Sequence, residues 1–532
     1  MDLVSLLTST TDKGGGVNPN AWDISKAYYD AGADAWDISK AEFAGINFSV
    51  TSQETTPTGV FFKPDGTKMY VIGSSGDDVN EYTLSTPWLV SSASYVQNFS
   101  VASQETIPNG LFFKPDGTKM YVIGSSGDNV NEYDLSSAWD ISSASYLQNF
   151  SVATQDTTPT GLFFKPDGTK MYIIGTSADS VNEYNLSTPW DISTSSHVQS
   201  FSVATEEGTP TGLFFKPNGT KMYVVGSTGD EVNEYDLSSA WDISTASYVQ
   251  VFSVSTEDTS PQSLFFHPDG SGFYVVGATN DTVYQFTIGG FDIGSQETQP
   301  QGLFFKPDGT KMYVIGSTGD DVNEYSLSSS WNILSASYVQ NFSISAQDTV
   351  PRDVFFKPDG TKMYVLGDTN DKVYEYDLSS AWDISTASYV QDVSVAGQES
   401  APEGMFFKPD GTKMYIVGSG DDEVNEYDLS TAWDVTSISY VQNFSISAQD
   451  IDPESISFKT DGTKMYILGN TNNAVYEYSL SSAWDISTAS YTTNVGSNDS
   501  DSTGLFWKDD GSQFWIAGNS MNKILSYKIS PT

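Results

Sequence analysis

Short apolar runs alternate with turn signals along nearly the whole chain. Within residues 108–158, Gly110-Leu111-Phe112-Phe113-Lys114 is an apolar run that ends at Pro115-Asp116-Gly117, a strong turn signal. Lys119-Met120-Tyr121-Val122-Ile123-Gly124 follows, rich in strand formers and bulky on both faces. Ser125 to Asn129 is a second turn, and Val130-Asn131-Glu132-Tyr133-Asp134-Leu135 is a third, more polar strand. A loop carrying Ala138-Trp139-Asp140-Ile141-Ser142 leads to a fourth, Tyr146 to Val152. No 3.6-residue pattern intervenes. The pattern predicts four antiparallel strands, apolar on both faces, as in a small sheet sandwiched between two like sheets.

This block recurs. Its marker lysine stands at Lys63, Lys114, Lys165, Lys216, Lys306, Lys357, Lys408, Lys459 and Lys508, with His267 in the fifth place. Successive intervals are 51, 51, 51, 51, 39, 51, 51, 51 and 49 residues. A period near 50 marks a propeller, solenoid or array; a parallel β-helix needs shorter coils and a helical solenoid a different periodicity. The expected fold is therefore all-β, a β-propeller of ten four-stranded antiparallel blades. The motif P-x-G-L-F-F-K-P-D-G-T-K-M-Y-V-x-G…D-x-V-x-E-Y-D-L-S resembles the YVTN-type and WD-repeat-like propeller families over residues 46–529, where an Asp-Gly hairpin also joins the innermost strand to the second.

The chain ends bear on closure. The tenth copy stops after its third strand, Lys523 to Ile529, while Ala35-Trp36-Asp37-Ile38-Ser39 and Ile46-Asn47-Phe48-Ser49-Val50 match the loop and fourth strand of a regular copy. Joining a spare strand to an open blade removes an exposed edge. The fifth copy lacks the Trp loop and half of its fourth strand: Ile288 is followed at once by Gly289-Gly290-Phe291. Two readings stand, one ten-bladed ring with a tight Gly-Gly hairpin, or two five-bladed rings in tandem. The expected organisation is an N-terminal extension over residues 1–45, blades 1–5 over 46–288 and blades 6–10 over 291–532, with residues 46–50 pairing to the strand ending at Ile529 or at Ile288.

Composition narrows the functions. The formal charge is −44, from 24 basic and 68 acidic residues, and Arg352 is the sole arginine. Such a surface repels phosphate backbones, so nucleic acid is not an expected partner. Cysteine is absent, which excludes disulfides and thiolate metal sites. The start MDLVSLLTSTTDKGGG lacks the basic and apolar regions of a cleaved secretory signal, and no stretch reaches the length of a membrane span.

Strand alternation sends the Lys-Pro-Asp-Gly hairpins and Trp loops to one face and the acidic turns to the other. The acidic turns carry Asp77, Asp78, Asp128, Asp230, Asp320, Asp321, Asp421 and Asp422, candidate ligands for calcium, which favours carboxylate and carbonyl oxygens. Their spacing matches neither an EF-hand nor an RTX repeat, and solvated turn residues are the plainer expectation. Trp88, Trp139, Trp190, Trp241, Trp331, Trp382, Trp433 and Trp484 are candidate platforms for stacking sugars, or structural pegs covering each blade. His197 and His267, the only histidines, have no metal-ligand spacing, and no nucleophile elbow occurs. Copies one to four and six to nine look interchangeable, so no constellation of unlike polar residues is expected and no catalytic residue is assigned.

Residues 1–45 hold Gly14-Gly15-Gly16 and a doubled Ala-Trp-Asp-Ile-Ser-Lys-Ala at 21–27 and 35–41, either the relic of an eroded blade or an anchor in which Leu3, Val4, Leu6 and Leu7 meet a partner. Long acidic propeller copies of this sort are similar to those in tail and fibre proteins of marine phages and in bacterial surface proteins. That resemblance implies a non-enzymatic structural or adhesive protein on a virion or extracellular surface, joined to other virion or surface proteins through residues 1–45 and contacting a host or its glycans. The alternatives are a lactonase-like, metal-dependent propeller hydrolase and an intracellular protein-interaction scaffold. Unlike acidic residues at one channel mouth would favour the enzyme; equivalent residues on every blade would favour the binder.

Overall fold

The computed structural model describes residue 18 and residues 20–530. It is a β-propeller protein, with nine four-stranded antiparallel sheets and a tenth whose outer position is shared by two short strands. The second blade is typical: an inner strand Pro108–Phe113, then Lys119–Gly124, Asn129–Leu135 and an outer strand Ala144–Ser151. Register places Phe113 opposite Met120, Met120 opposite Tyr133, and Tyr133 opposite Tyr146, with a bulge between Tyr146 and Gln148. The second strand is buried on both faces, since each blade is packed between neighbours, whereas Tyr146 and Leu147 on the outer strand are exposed.

The chain forms two compact units. Gly32–Gly289 forms one, and the described residues up to Ala31 together with those from Gly290 form the other. In each, the inner strands pack side by side around an axis and the fifth packs back on the first: Pro261–Phe266 on Pro57–Phe62, and Ser502–Trp507 on Pro300–Phe305. Each unit is thus a closed ring of five blades.

A latch between blades marks the closure. A tyrosine on the second strand donates to the backbone carbonyl of the tryptophan in the following blade's loop. In the first ring the cycle is complete: Tyr70 to Trp139 (2.7 Å), Tyr121 to Trp190 (2.6 Å), Tyr172 to Trp241 (2.7 Å), Tyr223 to Trp36 (2.6 Å) and Tyr274 to Trp88 (2.6 Å). In the second, Tyr313, Tyr364, Tyr415 and Tyr466 donate to Trp382, Trp433, Trp484 and Trp22. Trp515 replaces the fifth tyrosine and stacks on Trp331 at 5.4 Å.

The N-terminal segment differs from the expected extension over residues 1–45. Its described part belongs to the rings, divided at Gly32 and not at residue 46. Ala41–Ser49 is the outer strand of the fifth blade, with Phe48 opposite Val283 and Ser49 opposite Thr282, so the spare strand meets the sheet that ends at Ile288. Ala27–Tyr29 lies beside the end of Lys523–Ile529, with Ala27 opposite Ile529, and Phe291–Asp292 covers the rest of that edge, with Phe291 opposite Ile524. The doubled Ala-Trp-Asp-Ile-Ser motif is therefore two pegs, Trp22 for the tenth blade and Trp36 for the fifth. The reason is geometric: a blade whose chain has left for the next ring still needs its loop and outer strand. Gly289 and Gly290, at φ of 92° and 87°, make that exit where other residues would be strained. Leu3, Val4, Leu6, Leu7 and Gly14–Gly16 lie outside the described residues.

Candidate functional site

The tryptophan loops are built from local sequence. In the second blade Asp116 accepts the Thr118 amide, Gly117 turns with φ of 73°, and its carbonyl accepts the Trp139 amide at 3.0 Å. The Trp139 indole then lies across the bare face of Gly117, where a Cβ would come within 2.4 Å of the ring. Its other neighbours include Phe113, stacked at 5.6 Å. Trp139, Trp190, Trp241, Trp382 and Trp433 are buried, and Trp88, Trp331 and Trp484 are partly so. A sugar platform needs an open ring face. These eight tryptophans instead pack against their hairpin glycines, and seven of them, all but Trp331, are tied by their carbonyls to a tyrosine of the preceding blade.

The acidic turns are equally local. Asp77, Asp128, Asp230, Asp320 and Asp422 have φ of 48–55°, as does Asn473 in the ninth blade. Asp and Asn tolerate this left-handed conformation better than most residues. The carbonyl of Asp128 receives the Val152 amide at 2.9 Å, joining the turn to the end of the outer strand. Asp78 and Asp321 begin third strands and accept from Asn80 and Asn323. Asp421 is exposed beside Asp422. One oxygen each of Asp77, Asp128 and Asp230 is buried without a protein hydrogen bond, yet among the described residues no three acidic or histidine side chains converge to hold a metal.

The two channels differ, and here the repeats are not interchangeable. The first ring carries Phe61, Phe112, Phe163, Phe214 and Phe265 on its five inner strands. They form a closed edge-to-face pinwheel, with successive centroids 5.3, 5.3, 5.1, 5.4 and 5.1 Å apart, and all five are buried. In the second ring Phe304, Phe355, Phe406 and Phe506 take these places, but Ser457 occupies the fifth. Phe506–Phe304, Phe304–Phe355 and Phe355–Phe406 keep the pinwheel spacing, and the gap falls between Phe406 and Phe506. Phe355, Phe406 and Phe506 are consequently less buried than their counterparts. A cavity of about 330 Å³ opens there.

Three more departures line the same cavity. Asp353 stands where most inner strands have glycine, and Thr460 and Asp509 stand where the hairpins of the other eight blades have proline. Asp353 is 7% exposed and accepts the Val354 amide at 2.8 Å and the Met405 amide at 2.9 Å. Burial pushes its carboxyl up to about 7, against those two bonds. Burial, helped by Asp510, also raises Asp509. Among the described residues no lysine or arginine lines the cavity.

Beyond Asp353 the inner strands close to a narrow waist, where a Cβ on Gly302 would lie 2.8 Å from Asp353 Cα and one on Gly404 2.7 Å from Ser455 Cα. The mouth on the far side is charged. In the first ring the equivalent positions are Thr58, Asn109, Thr160, Thr211 and Gln262, and the first four donate to the proline carbonyl of the next blade at 2.8–2.9 Å. In the second ring they are Gln301, Arg352, Glu403, Glu454 and Thr503. Arg352 bonds Asp368 at 2.8 Å, pairs with Glu403 at 2.9 Å and donates to Gln301 at 3.2 Å. Burial outweighs Arg352 and, with Asp368, Asp452 and Glu399, pushes Glu403 up to about 8. Burial and then Glu403 push Glu454 up to about 9.

The expectation that no unlike polar residues break the symmetry is thus corrected by the channel of the second ring. The signal stood in the sequence: the sole arginine, Asp353 and Ser457 all fall within inner strands that otherwise repeat closely.

No family model matches the chain, and no curated protein matches it. Similar solved structures include a candidate 6-phosphogluconolactonase from Bacteroides uniformis, at 13% identity over 72% of this chain and 97% of that one, with a TM-score of 0.28. Another candidate 6-phosphogluconolactonase, from Bacteroides fragilis, has 13% identity over 71% and 95% with a TM-score of 0.26. A protein from Lactobacillus plantarum has 11% identity over 72% and 97% with a TM-score of 0.28. Likeness at this level carries no argument about what this chain does.

Proposed function

We propose that this is a non-enzymatic recognition protein in which the first ring is a structural element and the second takes a small ligand into its channel. The observation that supports this is the convergence of Asp353, Ser457, Thr460 and Asp509 on one cavity, at positions where the first ring keeps Gly or Ser, Phe, Pro and Pro. Residues that recur on every blade serve packing between neighbours. Losing a core phenylalanine forfeits apolar contact, and a cavity of this size falls within the roughly 300–1,000 Å³ of small-molecule sites. The setting implied by the resemblance, a phage tail or fibre component or another extracellular surface protein contacting a host, is kept in this proposal and rests on that resemblance alone.

A hydrolase is the second reading. It is favoured by the mouth cluster of Arg352, Glu403 and Glu454, whose raised carboxyls would stay protonated near neutral pH, as a general acid requires. Turnover of a lactone, ester or glycoside, abolished in Glu403→Gln, would select it.

The binding reading is tested by a ligand-observed NMR fragment screen on wild type and Ser457→Phe. That substitution restores the fifth phenylalanine of the first ring's arrangement, so the variant is expected to melt no lower than wild type and to lose the fragments that wild type binds. Retention of those fragments by the folded variant would overturn the proposal.

A further inference from the structure

The cavity of the second ring has a chemistry of its own. Its wall is made by Phe304, Phe355, Phe406 and Phe506, with Trp22 and Trp507 also lining it. Both charged groups on it are acids, Asp353 at the waist and Asp509 at the hairpin end, and both are departures from the repeat. Aromatic faces attract cations through their quadrupoles, most strongly where water is excluded. An anion would meet two carboxylates and no base. A neutral apolar ligand would fill the space but leave Asp353 buried with no counter-charge, an arrangement that costs more than a paired one.

Resting on the reading of this cavity as a ligand site, we infer that its ligand is a small organic cation, an alkyl- or arylammonium whose charged head lies at Asp353 and whose apolar body lies among the phenylalanines. The Asp353 oxygens are held by the Val354 and Met405 amides, so the carboxylate is fixed before the ligand arrives. Burial without a cation holds the Asp353 carboxyl up at about 7, and an ammonium beside it would supply the missing partner. The equivalent position in the first ring is glycine or serine in every blade, from Gly59 to Ser263, and the phenylalanine pinwheel there is complete. Among the described residues the first ring thus has no counterpart of this site.

The test uses the full chain and two probes, phenyltrimethylammonium and its uncharged isostere tert-butylbenzene, followed by the fluorescence of the lining tryptophans and by calorimetry. Three proteins are compared: wild type, Ser457→Phe and Asp353→Ser. Serine is tolerated at this point of the ninth blade, where Ser455 accepts the Leu505 amide at 3.2 Å, so Asp353→Ser keeps an acceptor for the Met405 amide and loses the charge together with the bond to its own neighbour, Val354. Wild type is expected to bind the cation at least tenfold more tightly than the isostere. Asp353→Ser is expected to lose that tenfold preference while binding the isostere as before, and Ser457→Phe to bind neither. Equal affinity of wild type for both probes, with both lost in Ser457→Phe, would overturn the cation while leaving the cavity as a ligand site. Failure of wild type to bind either probe would overturn both.

Discussion

Glu403 and Glu454 show how single residues set the behaviour of the second ring. In the folded ring their carboxyls are pushed up to about 8 and about 9, from the usual 4.5. Burial is the main cause; Asp368, Asp452 and Glu399 add to it at Glu403, and Glu403 adds to it at Glu454, only partly offset by Arg352. Between the usual and the folded values the native state holds more protons than the unfolded chain, so stability is fullest in acid and falls as pH rises through that window. Glu454→Gln removes one of the two titrations. The gain in denaturation midpoint over wild type is therefore expected to be larger at about pH 9 than at about pH 5. An equal gain at both would show that Glu454 is not protonated in the folded ring. The lone arginine has the matching role: Arg352 is the cation that lets Glu403, Asp368 and Gln301 share one channel mouth.

At the scale of elements, stability is passed from blade to blade through the tryptophan loops. Tyr121 gives the Trp190 carbonyl its hydrogen bond, so Tyr121→Phe would leave a buried acceptor unpaired, at a cost of about 1–3 kcal/mol to the first ring. Denaturation that shifts by less than the scatter between repeats would place the latch elsewhere. Blade anatomy was legible because Asp-Gly hairpins, Val- and Tyr-rich strands and a fixed period all point to one sheet. The peg role of the tryptophans was legible as one of two readings; the packing that goes with it depends on Gly117, whose missing Cβ makes room for the indole. The outer strand of the tenth blade was not legible, since it is assembled from Ala27–Tyr29 and Phe291–Asp292, segments too short to carry a strand pattern. The channel site was missed for another reason. Averaging the copies into a consensus stresses what every blade shares, whereas the site consists of what single blades have lost, a phenylalanine at Ser457 and a glycine at Asp353.

For the whole molecule, two five-bladed rings made from one kind of blade have diverged in their channels. The first keeps five phenylalanines and neutral side chains around its axis; the second has a gap, acids within it and an ion-paired mouth beyond the waist. Recognition by a repeat protein is often spread over equivalent weak sites, with avidity as its strength. The site proposed for this chain is the opposite, a single one made by departures from the repeat. The most direct measurement is the binding stoichiometry of phenyltrimethylammonium on the full chain by titration calorimetry, with Ser457→Phe as the control. One probe per chain, lost in the variant, is the predicted result; several equivalents per chain, or a single site that survives in Ser457→Phe, would contradict it.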